Sequence, residues 1–165
     1  MTFNKNNLKE KTTTIDIITD LNLKQLNLSF LFDYQIFPSN ILTYKAQWQR
    51  ENREMRIGDT ILQQAFIPPL RSFSQKITFG VRINSIINEE SIKGFSYETI
   101  VGHVENGEST FTLEQNGQGL IFKIRTFSAP GNILTKLVGL VFTTPYQTYC
   151  TQRALENVKN QILDG

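Results

Sequence analysis

The chain has 165 residues, 39% hydrophobic and 19% charged, with a formal net charge of +2. That length suits one domain with a core of its own, and so small a charge argues against a nucleic-acid or anionic membrane partner. The single cysteine, Cys150, excludes an internal disulfide, and no stretch nears the ~18 apolar residues of a membrane span or forms the apolar run of a signal peptide, so a cytoplasmic protein without stable membrane insertion is expected.

In chain order, residues 1–25 read as a polar leader, Asn- and Lys-rich at its start and at most partly ordered, with a single domain over 26–165. Leu26, Leu28, Phe30, Phe32, Tyr34 and Ile36 alternate with a period of two, which predicts a strand. Pro38-Ser39 then predicts a helix start with Ser39 as N-cap, followed by Ile41, Tyr44, Lys45 and Trp48 at helical spacing. A strand is predicted over 57–67, ended by Pro68-Pro69. Ile77, Phe79, Val81 and Ile83 alternate with polar residues, and Phe95, Tyr97 and Thr99 share one face of the next strand while Ser96 and Glu98 share the other. Phe111 and Leu113 lead into Asn116-Gly117, a tight-hairpin pair, and Leu120, Phe122 and Ile124 follow. At least five antiparallel strands are therefore expected between about 57 and 127.

After Pro130-Gly131 the period becomes helical: Ile133, Leu134, Leu137, Val138 and Val141 form one stripe, continued by Tyr146, Tyr149, Cys150, Leu155, Val158 and Ile162. A helix is expected over most of 131–163, kinked or divided at Pro145. The fold class is α+β, an antiparallel sheet against a long C-terminal helix. Its core is expected to include Phe79, Val81, Phe122, Ile124, Leu137, Val141 and Val158.

The segment GFSYETIVGHVENGEST, residues 94–110, resembles an uncharacterised family, a domain of unknown function, whose members carry Gly-Phe-x-Tyr-x-Thr, then Gly-His, then Gly-Glu at this spacing. FKIRTFSAPGN, residues 122–132, and Pro145-Tyr146-Gln147 resemble it too, whereas Glu98 stands where many relatives have Gly. The order of elements is similar to the START-like, birch-pollen-allergen-like helix-grip superfamily. The resemblance implies a curved sheet wrapping the C-terminal helix, with a cavity between them. It also implies binding of lipids, hormones, polyketides or other apolar molecules, with a minority of members being enzymes.

Several residues are candidates for chemistry. Tyr97 and Thr99 are polar points of a ligand cavity if their face is the inner one, and ordinary strand formers if it is the outer. His103, the only histidine, lies in a predicted turn; with Glu98 or Glu108 it suits acid–base catalysis, and alone it suits pinning the turn. Tyr97, Glu98, His103 and Glu108 are expected at one end of the sheet, near the mouth of any cavity. Glu98, His103, Glu105 and Glu108 match no zinc spacing, and Gly102-His103 and Gly107-Glu108 lack the context of a phosphate loop, so neither metal nor cofactor is expected. Trp48 is read as a core anchor or a pocket gate, Arg125 as a solvated cation or an anion ligand, and Cys150 as an inert thiol. The leading function is binding of an apolar or amphipathic small molecule, helped by rigid rings among 12 Phe. The alternatives are an enzyme of cyclase, hydratase or isomerase type and an interaction domain with a closed core.

Overall fold

The alternation of the sequence becomes a sheet with two unlike faces. The computed structural model describes residues 9–67, 74–100, 107–117, 119–128 and 144–165. Its elements are β1 (Lys9–Ile18), α1 (Ser29–Phe32), β2 (Leu42–Ala46), α2 (Gln47–Arg50), β3 (Thr60–Ile67), β4 (Gln75–Asn88), β5 (Ile92–Thr99), β6 (Glu108–Asn116), β7 (Gly119–Ser128) and α3 (Thr144–Leu163). The strands form one sheet in the order β1-β7-β6-β5-β4-β3-β2, antiparallel at every step. Gly117, at φ +49°, supplies the left-handed turn between β6 and β7. Gly94 answers a different need: a Cβ there would lie 2.0 Å from the Phe111 carbonyl oxygen on β6.

The inner face collects Ile61, Val81, Ile83, Phe95, Phe111, Leu113, Leu120, Phe122 and Ile124, all buried. Against it lies α3, which touches β1 and β7 and buries Ala154, Leu155, Val158 and Ile162, a helical stripe. The helix is also tied to the turn after α1. Asn157 Nδ2 donates to the carbonyls of Gln35 (3.1 Å) and Ile36 (2.9 Å), and Gln161 Nε2 donates to Gln35 (2.8 Å). Of the expected core, Val81, Phe122, Ile124 and Val158 are buried and Phe79 packs half-buried against them. Leu137 and Val141 lie outside the described residues, as does the predicted helix before Thr144.

Three local readings change. Residues 9–18, assigned to a polar leader, form β1, whose partner along its whole length is β7. The strand predicted over 26–36 is instead the single turn of α1 and an irregular return. Its even-numbered apolar residues suggested alternation, yet Leu31 is fully buried beside Phe30, and with Tyr34 they follow helical rather than strand spacing. The helix predicted after Pro38 stops at once: the Pro38 carbonyl accepts from Ile41 and Leu42 in one turn, and the chain then pairs as β2 with β3. Trp48 does lie on a helix, the short α2. Beyond α2, Arg53 binds buried Asp59 through two 2.7 Å contacts and holds that carboxyl below its ordinary range, which fixes the approach to β3.

Candidate functional site

A group of polar side chains is buried on the inner face where the sheet meets α1. The strand β5 supplies Tyr97, which faces inward with Phe95 and is 9% exposed. Its register partners across the sheet are Ile83, then Ser109, whose own partner is Thr126. The inner face is thus apolar along the row Phe95–Phe111–Ile124 and turns polar one row further on, at Tyr97–Ser109–Thr126.

The strand β3 supplies Gln63, against its hydropathy pattern. In ILQQAFI the leucine would ordinarily face the core, yet Leu62 is 49% exposed and Gln63 is 1% exposed. In a strand the side chains alternate, so the register that buries Ile61 must bury Gln63 and turn Leu62 outward. Its Nε2 is enclosed and completes no hydrogen bond among the described residues, a condition that costs about 1–3 kcal/mol for a buried polar group.

The third member is Tyr34, brought in by a strained turn. Helix α1 closes with Tyr34 N–H donating to Leu31 O (3.2 Å) and Gln35 N–H donating to Phe30 O (2.8 Å). This cap needs a left-handed residue, normally glycine, and Tyr34 occupies it at φ +63°. The turn is held from outside: the Asp33 carbonyl accepts from Tyr44 Oη (2.7 Å) and Gln49 Nε2 (3.1 Å). The left-handed backbone delivers the Tyr34 ring to the inner face, edge-on to Tyr44 at 5.2 Å and among Phe95, Tyr97 and Phe111 at 6.0–6.1 Å.

The hydroxyls of Tyr34 and Tyr97 stand 3.4 Å apart, with Tyr34 donating, a longer contact than a full-strength O–H···O bond. Burial pushes the Tyr34 phenol well above its ordinary range, and the neighbouring Tyr97 adds to the rise. Burial also raises Tyr97, against a lowering by hydrogen bonding with Tyr34, Gln63 and Ser109, and the Gln63 amide lowers Tyr34 in the same way, from a distance short of a full hydrogen bond. Both phenols are therefore neutral at physiological pH and keep their protons as hydrogen-bond donors.

The residues singled out from sequence divide between the two faces. Tyr97 and Thr99 share the inner side with Phe95, and Thr99 Oγ1 accepts from Gly107 N–H (3.0 Å), bracing the end of the sheet. Glu98 is on the outer face, directly opposite Glu108 on β6 and Arg82 on β4. Glu108 accepts from Asn84 Nδ2 (3.1 Å), a residue turned by the irregularity between Ile83 and Ser85. Tyr97 and Glu98 therefore come from adjacent positions but do not converge. His103 and Glu105 lie outside the described residues. Arg125 is on the outer face too, paired with Glu10 (2.9 Å) and over the Phe127 ring at 4.6 Å, away from the Tyr97 group. Trp48 is buried at 1% exposure, and its Nε1 finds no acceptor among the described residues. Among the described residues, no group of three or more His, Cys, Asp or Glu side chains converges as a metal site, and no helix is long and apolar enough to cross a membrane.

Tyr34 and Gln63 were not legible as site residues. The one sequence signal at Gln63 is a glutamine at a position whose neighbour Ile61 must be inward. At Tyr34 it is the absence of any glycine where α1 ends.

A family model described as "Domain of unknown function (DUF1990)" matches residues 28–157. Among curated proteins, none matches in sequence. Similar solved structures include major latex-like protein 151 of Panax ginseng, with a TM-score of 0.64 at 12% identity, covering 95% of this chain and 99% of that one. Norcoclaurine synthase of Thalictrum flavum aligns with a TM-score of 0.52 at 10% identity, over 98% and 91% of the two chains. The di-domain ARO/CYC StfQ of the steffimycin biosynthetic pathway aligns with a TM-score of 0.61 at 6% identity, over 95% of this chain and 51% of that one. At these identities the likeness establishes the helix-grip fold.

Proposed function

We propose that this chain, which belongs to the DUF1990 family, is a small-molecule-binding domain. Its ligand lies between the inner face of the sheet and α3, with its apolar body against the Phe95–Phe111 row and a polar end at Tyr34, Tyr97 and Gln63. The observation that carries this reading is the Gln63 amide, enclosed on an apolar face within weak hydrogen-bonding reach of two neutral phenols, its Nε2 completing no full hydrogen bond among the described residues. A closed structural core gains nothing from such a group, since an apolar side chain of similar size would avoid the desolvation cost. A binding site does gain, because a few polar groups in an apolar pocket orient what enters it. The fold supports the same reading, since two of its structural relatives are by name proteins that act in the making of small organic molecules.

The test is native mass spectrometry of the full chain purified from its own host, together with titration by the neutral apolar dye Nile red. A co-purifying small molecule released on denaturation, or saturable dye binding displaced by an organic extract of the host, is the expected result. A single unliganded mass with no dye binding would overturn the proposal.

A further inference from the structure

The sheet has two edges, β1 and β2, and they are finished differently. At the β1 end α3 touches the strand, and its Lys159 Nζ donates to the Asp16 carbonyl (3.2 Å). At the β2 end the backbone is open. An antiparallel ladder engages alternate residues of a strand, and here Phe66 N–H donates to the Ile41 carbonyl (3.0 Å). In the register Leu42↔Ala65 to Ala46↔Ile61, Thr43 and Lys45 therefore spend their backbone groups on β3, while Leu42, Tyr44 and Ala46 point theirs away from the sheet. Of these, Leu42 N–H is taken by the Pro38 carbonyl (3.1 Å), and Ala46 is the N-cap of α2, so its carbonyl accepts the first bond of that helix. The Leu42 carbonyl, both groups of Tyr44 and the Ala46 N–H remain, with no partner among the described residues.

Two adjoining hollows of 490 and 600 Å³ lie beside this open edge and share Lys45, Ala46 and Arg50. The first extends to Leu62, the register partner of Lys45 and half exposed, so apolar surface adjoins the charge. Neither Lys45 nor Arg50 forms an ion pair among the described residues. The carboxylate that lines the first hollow, Glu51, is already held by Arg53 (2.6 Å) and Gln47 (3.0 Å).

We propose that the β2 edge docks an extended acidic segment of a partner protein, which joins the sheet as a further strand antiparallel to β2. The residue opposite Tyr44 exchanges two backbone hydrogen bonds with it, and the Leu42 carbonyl and Ala46 N–H take one each further along the segment. Acidic side chains facing Lys45 and lying beyond Ala46 meet the two unpaired cations. The same cations select against another occupant. A second copy pairing β2 with β2 would bring two Lys45 and two Arg50 side chains into one seam, and like charge on a strand edge opposes that association. The docking uses backbone groups and outer-face charges, so it is independent of the ligand site on the inner face.

The test follows fluorescein-labelled, C-terminally amidated hexapeptides by polarisation as the full chain is added, up to about 1 mM. In Glu-Val-Glu-Val-Thr-Val the second valine falls opposite Tyr44 and the second glutamate opposite Lys45. This peptide is expected to bind about tenfold more tightly than Lys-Val-Lys-Val-Thr-Val, and to weaken as salt is raised. N-methylation of the second valine removes the N–H meant for the Tyr44 carbonyl at unchanged charge, and should also weaken binding about tenfold. In the double variant Lys45→Glu, Arg50→Glu, at two exposed positions, the preference should reverse to the lysine peptide. Equal binding of the acidic and basic peptides would overturn the proposal. An N-methylated peptide that binds like its parent would overturn it too, since charge attraction alone would then account for the affinity. So would an acidic peptide that fails to bind, and self-association of the chain that this peptide disperses would give the edge to a second copy instead.

Discussion

Helices α1 and α2 each make a single turn and end in the same backbone device, but they close it with very different residues. At α2 the left-handed position is Asn52, φ +50°, with Arg53 N–H returning to Trp48 O at 3.1 Å. Asparagine is among the residues that enter this region most readily, and Asn52 is exposed, so this is a cap and nothing more. At α1 the equivalent residue is Tyr34, bulky, fully buried and ringed by aromatics. A left-handed tyrosine costs roughly 1–2 kcal/mol of backbone strain. The second turn shows that the device can be made without that cost, so the strain at the first belongs to where the Tyr34 side chain has to go.

The comparison is tested most severely by removing the ring. Tyr34→Ala deletes a wholly enclosed aromatic side chain and keeps the strained backbone, and should destabilise the fold by about 3–5 kcal/mol, a large part of a typical 5–15 kcal/mol. Asn52→Ala, at an exposed site, should cost about 1 kcal/mol. Urea denaturation with unchanged slopes measures both. Similar losses at the two positions would mean that Tyr34 is a cap like Asn52.

A smaller effect isolates the backbone from the ring. At most buried positions glycine is worse than alanine, because it has more freedom to lose on folding. At position 34 the order should invert, with Tyr34→Gly more stable than Tyr34→Ala by about 0.5–1 kcal/mol, since glycine enters the left-handed region freely. Asn52→Gly against Asn52→Ala should show the same sign. Alanine equal to glycine at position 34 would show that the turn relaxes once the ring is gone, and the strain would then be the ring's own doing.

How much of this was legible in the sequence follows from where each element gets its structure. Strands β4 to β7 have one apolar face, so Val81, Ile83, Phe95, Phe122 and Ile124 announced themselves by alternation, and Asn116-Gly117 marked their last turn. The strand β1, KEKTTTIDII, is an edge strand, polar until Ile15, and its pairing with β7 is a long-range fact that its composition cannot carry. Helix α1 was hidden by its length: four residues are too few to set a helical period against a chance alternation. The site was the least legible part. Tyr97 was visible because it follows the phase of its strand. Gln63 was invisible because it violates the hydropathy of its own, and Tyr34 because it stands where local rules expect glycine. Local rules tend to break where function demands it, and here two breaks meet in one place.

The smallest expected effect on stability is the most telling, and it concerns Gln63. If its amide were there to hold the two phenols in place, Gln63→Leu would cost about 0.5–1.5 kcal/mol, the worth of a lost internal hydrogen bond. Its Nε2, however, completes no such bond among the described residues, and leucine is close to glutamine in volume. The substitution removes an enclosed donor and adds apolar contact with Ile61, Phe79 and Val81 of the same core region. The denaturation midpoint should therefore stay the same or rise, by up to about 1 kcal/mol, while affinity for the small molecule that co-purifies from the host falls. This is the thermodynamic mark of a residue kept for binding at the expense of folding, since function and stability are then improved by opposite changes. It would extend to position 63 the lesson of the two helix caps. A clear loss of stability with that binding retained would show the reverse: a glutamine that serves the core, beside a tyrosine that does the same.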